Sequence, residues 1–154
     1  MARARRARTR TVLGWREWVG LPDLGVERIK AKIDTGARSS SLHATDLEYV
    51  TRDGRDWVSF AIRPAQRSAK GRIRAEAPLV DRRPVVSSSG TRELRPFVET
   101  SIVIGERVFP IELNLTDRRD MGFRMLIGRV DVRRRFLIDP GRSYLSSRSP
   151  KPGG

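Results

Sequence analysis

The run LHATDLEYVTRDGRDWVSFAIRP, residues 42–64, leaves this chain few folds to choose from. Two stretches rich in β-branched and aromatic residues flank Asp53-Gly54, a dipeptide that readily takes up the left-handed backbone of a tight hairpin turn. The grammar recurs downstream. RPVVSSSGTRELRPFV (83–98) turns at Ser87 to Gly90, and TSIVIGERVFPIELNLTD (100–117) turns at Gly105-Glu106. Upstream, TVLGWREWVGL (11–21) alternates around Trp15 and Trp18, and GVERIKAKID (25–34) alternates through Val26, Ile29, Ala31 and Ile33. Period-two patterning of this kind predicts an all-β domain. VDVRRRFLID (130–139) is the only stretch that reads as a short helix, and RSYL (142–145) reads as a terminal strand. No internal repeat is present.

Composition narrows the chemistry. The 154 residues suffice for one hydrophobic core, and 13 Gly with 9 Pro suit a turn-rich β domain. There is no cysteine, which excludes disulfides, thiolate metal sites and cysteine nucleophiles. A single histidine, His43, argues against a catalytic zinc held by the protein. No apolar run is long enough to span a bilayer, so a soluble, cytoplasmic protein without membrane contact is expected. The net charge is +14. Five arginines lie in the opening decamer MARARRARTR, yet the remainder still carries +9. Residues 1–11 are read as a disordered basic arm, 12–146 as the folded domain and 147–154 as a disordered tail. Such a field favours anionic partners, although an arginine-rich surface also serves solubility alone.

One stretch carries more information than the rest. IKAKIDTGARSSSLHA (29–44) ends an apolar strand on Asp34-Thr35-Gly36-Ala37. An aspartate there is either a turn former bonding its own backbone or a group that chemistry requires. Far downstream, MLIGR (125–129) brings apolar residues, Ile127 last, up to Gly128. In this order, with hairpins between, the two motifs resemble the retroviral-type (retropepsin-like) aspartic proteases. Over longer segments, including GERVFPIELNLTDRRDMGFRMLIGR (105–129) and DPGRSYL (139–145), residues 12–146 resemble a bacterial family. It is often labelled "ATP-dependent zinc protease" or RimK-associated protease. The zinc and ATP of that label find no His-Glu-x-x-His and no Gly-x-x-x-x-Gly-Lys loop here, so no cofactor or metal is expected.

The resemblance implies a closed β-barrel with one short helix and half an active site per chain. Asp34 would be the catalytic carboxylate, with Thr35 bonding across to a partner loop and Gly36 allowing close backbone approach. Ala37 would line the pocket, and Ser88, Ser89 and Gly90 would form a flap over the substrate. Ile127 and Gly128 would support the Asp34 loop from below. Because Asp-Thr-Gly occurs once, the second carboxylate must come from another copy, giving a homodimer through the Asp34 loops and an inactive monomer. The association with RimK-like glutamate ligases implies a peptide or protein substrate that is acidic or glutamylated. Arg38 and Arg129 depart from the acidic residue that viral members often carry after each motif.

Other readings stay open beside this one. His43 with Ser39, Ser40 or Ser41 raises a serine hydrolase, but no Gly-x-Ser-x-Gly surrounds them, and a structural or pocket-lining histidine is expected. Trp15 and Trp18 are expected in the core. Three adjacent arginines, 133–135, read as a solvated helix face or as a nucleic-acid contact. The last of these keeps alive an alternative function: a non-catalytic basic module binding RNA or ribosomal surfaces.

Overall fold

The computed structural model describes residues 10–64, 71–87 and 89–146. Eleven strands and one helical turn of α type make up the described chain. The strands are β1 (Thr11–Gly14), β2 (Arg16–Leu21), β3 (Val26–Asp34), β4 (Ser40–His43), β5 (Thr45–Arg52) and β6 (Arg55–Ile62). They continue with β7 (Ile73–Val86), β8 (Arg92–Ile104), β9 (Arg107–Thr116), β10 (Met125–Gly128) and β11 (Phe136–Asp139). The helix α1 spans Arg129–Val132, and a 3-10 turn covers Pro22–Leu24. No helix among the described residues is long and apolar enough to cross a membrane.

Nine strands form one sheet in the order β2-β3-β10-β4-β9-β8-β7-β6-β5, while β1 and β11 pair separately. Local hairpins supply most of the antiparallel ladders. Three parallel pairings, β1 with β11, β3 with β10 and β4 with β9, join distant parts of the chain. Of the expected architecture, the all-β class and the single short helix are present. The path from β2 through β3, β10, β4, β9 and β8 comes round on itself at one residue pair, Gly20 opposite Val103. Strands β7, β6 and β5 run on beyond that seam as an open extension.

The patterning works as physics dictates. In β3 the buried positions are Val26, Ile29, Ala31 and Ile33, the apolar set of the alternation. Their partners in the core include Leu42, Phe60, Val98, Ile102, Leu113 and Ile127, all without measurable exposure. At roughly 25 cal/mol per Å² of apolar surface removed from water, this cluster is the main source of stability. The Asp53-Gly54 turn has φ of 50° and 76°, the doubly left-handed backbone expected of it.

Several expectations are corrected. Thr11, assigned to the arm, opens β1, and the rest of the arm up to residue 9 lies outside the described residues, as does the tail from 147. TVLGWREWVGL is two strands rather than one, broken at Trp15. At the break the Trp15 amide donates to the Arg142 carbonyl at 2.8 Å, outside any strand pairing. A Cβ on Gly14 would sit 2.3 Å from the Arg142 carbonyl oxygen, because the segment after β11 crosses there. RSYL is not a strand. The amides of Leu145 and Ser146 point instead at the carboxylate of Glu17, which is fully buried and also accepts the Gly14 amide at 2.6 Å. Trp15 and Trp18 are half-buried rather than core. Trp18 stacks on Tyr144 and Trp15 meets Phe123 edge-on, with the Arg16 guanidinium between Trp15 and Tyr144. The helix begins one residue before the predicted stretch and stops at Val132. Arg133–Arg135 turn the chain, and Phe136 opens β11.

Candidate active site

Asp34 is the last residue of β3 and is half-buried. Strand β10 runs parallel beside it, with Ile127 opposite Ile33 and Gly128 opposite Asp34. The loop after Asp34 is tied down by backbone. The Gly36 amide donates to Asp34 Oδ1 at 3.0 Å, and the Ala37 amide to the Asp34 carbonyl at 3.2 Å. From the opposite side, Arg129 N–H reaches the Ala37 carbonyl at 2.7 Å and Val130 N–H the Arg38 carbonyl at 3.0 Å. The Arg129 guanidinium donates to the Thr35 carbonyl at 2.9 Å. Arg129 thus binds backbone through both its amide and its guanidinium.

Gly128 has no room for a side chain. An added Cβ would lie 2.4 Å from the carbonyl carbon of Ser39 and 2.5 Å from its oxygen. Real Cβ atoms do not come so near, so the strand can pass under the loop only as glycine. Below this contact lies a buried polar chain. The Gly128 amide donates to Ser40 Oγ at 3.0 Å, and Ser40 Oγ donates to Asp131 Oδ2 at 2.5 Å. Asp131 sits on α1 with 6% exposure, and burial pushes its carboxyl above the usual range, opposed by the Ser40 hydroxyl and then by Arg135. Sequence reasoning missed this residue, because nothing in VDVRRRF marks its aspartate as buried.

The hairpin joining β7 to β8 closes at Ser87–Thr91, with Ser87 N–H donating to the Thr91 carbonyl at 2.8 Å and Gly90 N–H to the Ser87 carbonyl at 2.9 Å. Ser89 and Gly90 are exposed at its tip, and Ser88 lies outside the described residues. A cleft of about 1100 Å³ runs between this hairpin and the Asp34 loop. Gly36, Ala37, Val85, Val86 and Ser87 line it with Asp34, whereas Thr35, Ser89 and Gly90 do not.

His43 is buried, and its Nδ1 accepts the Arg118 amide at 2.7 Å. Burial, and then the charge of Arg124, hold its pKa below the ordinary histidine value, while Asp117, 3.6 Å from Nδ1, works the other way. Among the described residues no hydrogen bond joins it to Ser39, Ser40 or Ser41. Ser40 is engaged with Asp131 and Ser41 with Asn114 Oδ1 at 2.7 Å. Among the described residues, no group of three His, Asp or Glu side chains converges as metal ligands would. The chemistry on offer is that of one carboxylate on a rigid, backbone-clamped loop at the edge of a large cleft.

Comparison with known proteins places this geometry in context. A family model described as RimB-like, the retropepsin-like aspartic endopeptidase RimB, matches residues 12–149. A probable alpha-L-glutamate ligase of Shewanella pealeana is 43% identical over 133 residues, covering 86% of this chain and 29% of that protein. One of the same name from Desulfotalea psychrophila is 40% identical over 129 residues, covering 84% and 28%. Another, from Parasynechococcus marenigrum, is 43% identical over 133 residues, covering 86% and 28%. The chain therefore spans less than a third of these relatives. The crystal structure of a Legionella pneumophila protein of unknown function superposes with a TM-score of 0.73 at 26% identity, covering 90% of this chain and 99% of that one.

Proposed function

This chain belongs to the RimB-like family of retropepsin-like aspartic endopeptidases, and from that membership we propose that it hydrolyses peptide bonds with two Asp34 carboxylates, one from each of two copies. The observation that supports the reading is the seating of Asp34 opposite Gly128, where neighbouring backbone fixes one carboxylate at a cleft. A water molecule lies between the two acids in this mechanism. The ionised carboxylate takes a proton from the water as its oxygen attacks the scissile carbonyl carbon, and the other gives its proton to the carbonyl oxygen. Return of a proton to the amide nitrogen then breaks the C–N bond. Like charges so close cannot both ionise readily, so the pair titrates in two coupled steps.

The remaining residues take supporting parts. Thr35 bonds across to the partner loop, and Gly36 aims its amide at the carboxylates. Ala37 flanks the peptide backbone, and the hairpin carrying Ser88, Ser89 and Gly90 folds over the substrate and excludes water. Ile127 and Gly128 form the floor. Substrates are acidic or glutamylated proteins. The glutamate ligases that contain a matching segment support this, as does the net charge of +14.

Replacing Asp34→Asn should lower cleavage of a peptide library by on the order of 10²–10⁴-fold, read by mass spectrometry. Excess Asp34→Asn chains mixed with wild type should depress activity beyond simple dilution, since mixed pairs hold one useful acid. Undiminished cleavage by the variant would end the proposal. Turnover of acidic peptides should also fall with salt, because at about 0.1 M the field is screened within ~10 Å. A second reading, phosphate binding to RNA, draws on the exposed Arg133 and Arg134. Nucleic-acid affinity measured with and without residues 1–10 tests it; binding that vanishes with the arm removes the folded domain from that role.

A further inference from the structure

Four arginines line the cleft with Asp34, and two of them are deeply buried, Arg95 at 8% exposure and Arg118 at 9%. Their situations differ. Arg95 is engaged on several sides, with Nε on Glu93 Oε2 at 2.8 Å and Nη1 on Asn114 Oδ1 at 3.1 Å and Ser41 Oγ at 3.4 Å. Arg118 makes one side-chain hydrogen bond among the described residues, from Nε to the Phe123 carbonyl at 3.2 Å, and no carboxylate pairs with it. A guanidinium has five N–H donors in a planar fork, so most of this one is uncommitted. Burial and the charge of Arg95 both work against its cation, and only Asp34 opposes them.

Leaving a buried charge without a counter-ion is costly, yet the chain fixes this one firmly. The Arg118 amide is held by the buried His43 Nδ1, and its carbonyl accepts the Met121 amide at 2.8 Å. A cation held by its backbone, uncommitted at its head and opening on the cleft is complete only when an anion arrives. Lys32, Arg38, Arg83, Arg95 and Arg118 line the cleft against Asp34, Glu93 and Asp117, so its charge is net positive and draws in an anion. We propose that Arg118 is a specificity-determining residue whose guanidinium binds a substrate carboxylate in the cleft, close to the bond presented to Asp34. This rests on the peptidase reading for its substrate, although the binding itself can be measured without turnover.

The test uses the full chain carrying Asp34→Asn, which binds without cutting. Two fluorescent peptides, identical except that glutamates are replaced by glutamines, are titrated by anisotropy at constant salt. The glutamate peptide is expected to bind about tenfold or more tighter, the strength of hydrogen bonds to a charged group. Adding Arg118→Gln should bring the ratio of the two affinities to about one, and Arg118→Lys should restore part of it. Thermal unfolding shows that each variant is folded; if Arg118→Gln is not, the lysine variant and the wild-type ratio decide. An affinity ratio that survives Arg118→Gln, or that is one in the parent, overturns the assignment. So does a short single-stranded RNA that displaces the glutamate peptide equally well and only when Arg118 is present. If wild type cleaves neither peptide while the Arg118-dependent ratio persists, the peptidase reading fails and the carboxylate site stands. If wild type cleaves both alike, the reverse holds.

Discussion

The Asp34 corner and the Ser87–Thr91 hairpin face each other across one cleft, but they are held by different means. The corner is interlocked: β3, β10, β4 and α1 meet there, Gly128 is pressed on Ser39, and the Asp131–Ser40–Gly128 chain is buried. The hairpin tip is held by its own backbone turn and by exposed hydroxyls, such as Ser87 Oγ and Ser89 Oγ 2.9 Å apart. Beside it Val86 is 66% and Leu94 69% exposed. Few buried contacts mean a low cost of local opening. The difference teaches how one cleft can have a wall fixed by buried contacts and a wall that opens at little cost.

That contrast is breakable. Gly128→Ala should do most damage, at about 3 kcal/mol or complete loss of folding in denaturant titration, since the clash is with backbone that cannot step aside. Asp131→Ala should cost about 2 kcal/mol by leaving Ser40 and the Gly128 amide poorly satisfied. The asparagine variant sharpens the point through pH. Because the folded pKa of Asp131 is raised, the native state binds its proton more readily than the unfolded chain. Wild type should therefore lose stability, relative to Asp131→Asn, as pH rises from the unfolded value of 3.8 up to the folded one. An unchanging difference across that range would show that the carboxyl is not perturbed by burial. Smallest is Gly90→Ala, where φ is 84° but nothing crowds the new Cβ. About 1 kcal/mol of strain is expected there. Its effect on cleavage should appear in KM, whereas damage at the corner should appear in kcat.

How legible this was in the sequence depends on how far each interaction reaches. The alternation of β3 and the Asp53-Gly54 turn are local, and both were readable. Asp34 and Gly128 are distant, yet their flanking residues form motifs, and their direct pairing follows. Glu17, Arg95, Arg118 and Asp131 were not readable. What surrounds a buried charge is remote in sequence: Glu17 meets the Leu145 amide, Ser40 meets Asp131, and Arg118 faces the cleft. RSYL failed as a strand for the same reason, since amides that would have joined a ladder were taken by Glu17.

The parallel pairing of β3 with β10 has a consequence for the order of events during synthesis. Asp34 is made before its floor, which comes from residues more than ninety positions later, and parallel ladders of such reach form slowly. A half-made chain thus carries the acid without the seat that would aim it. Acid and seat therefore come together only once β10 has been made.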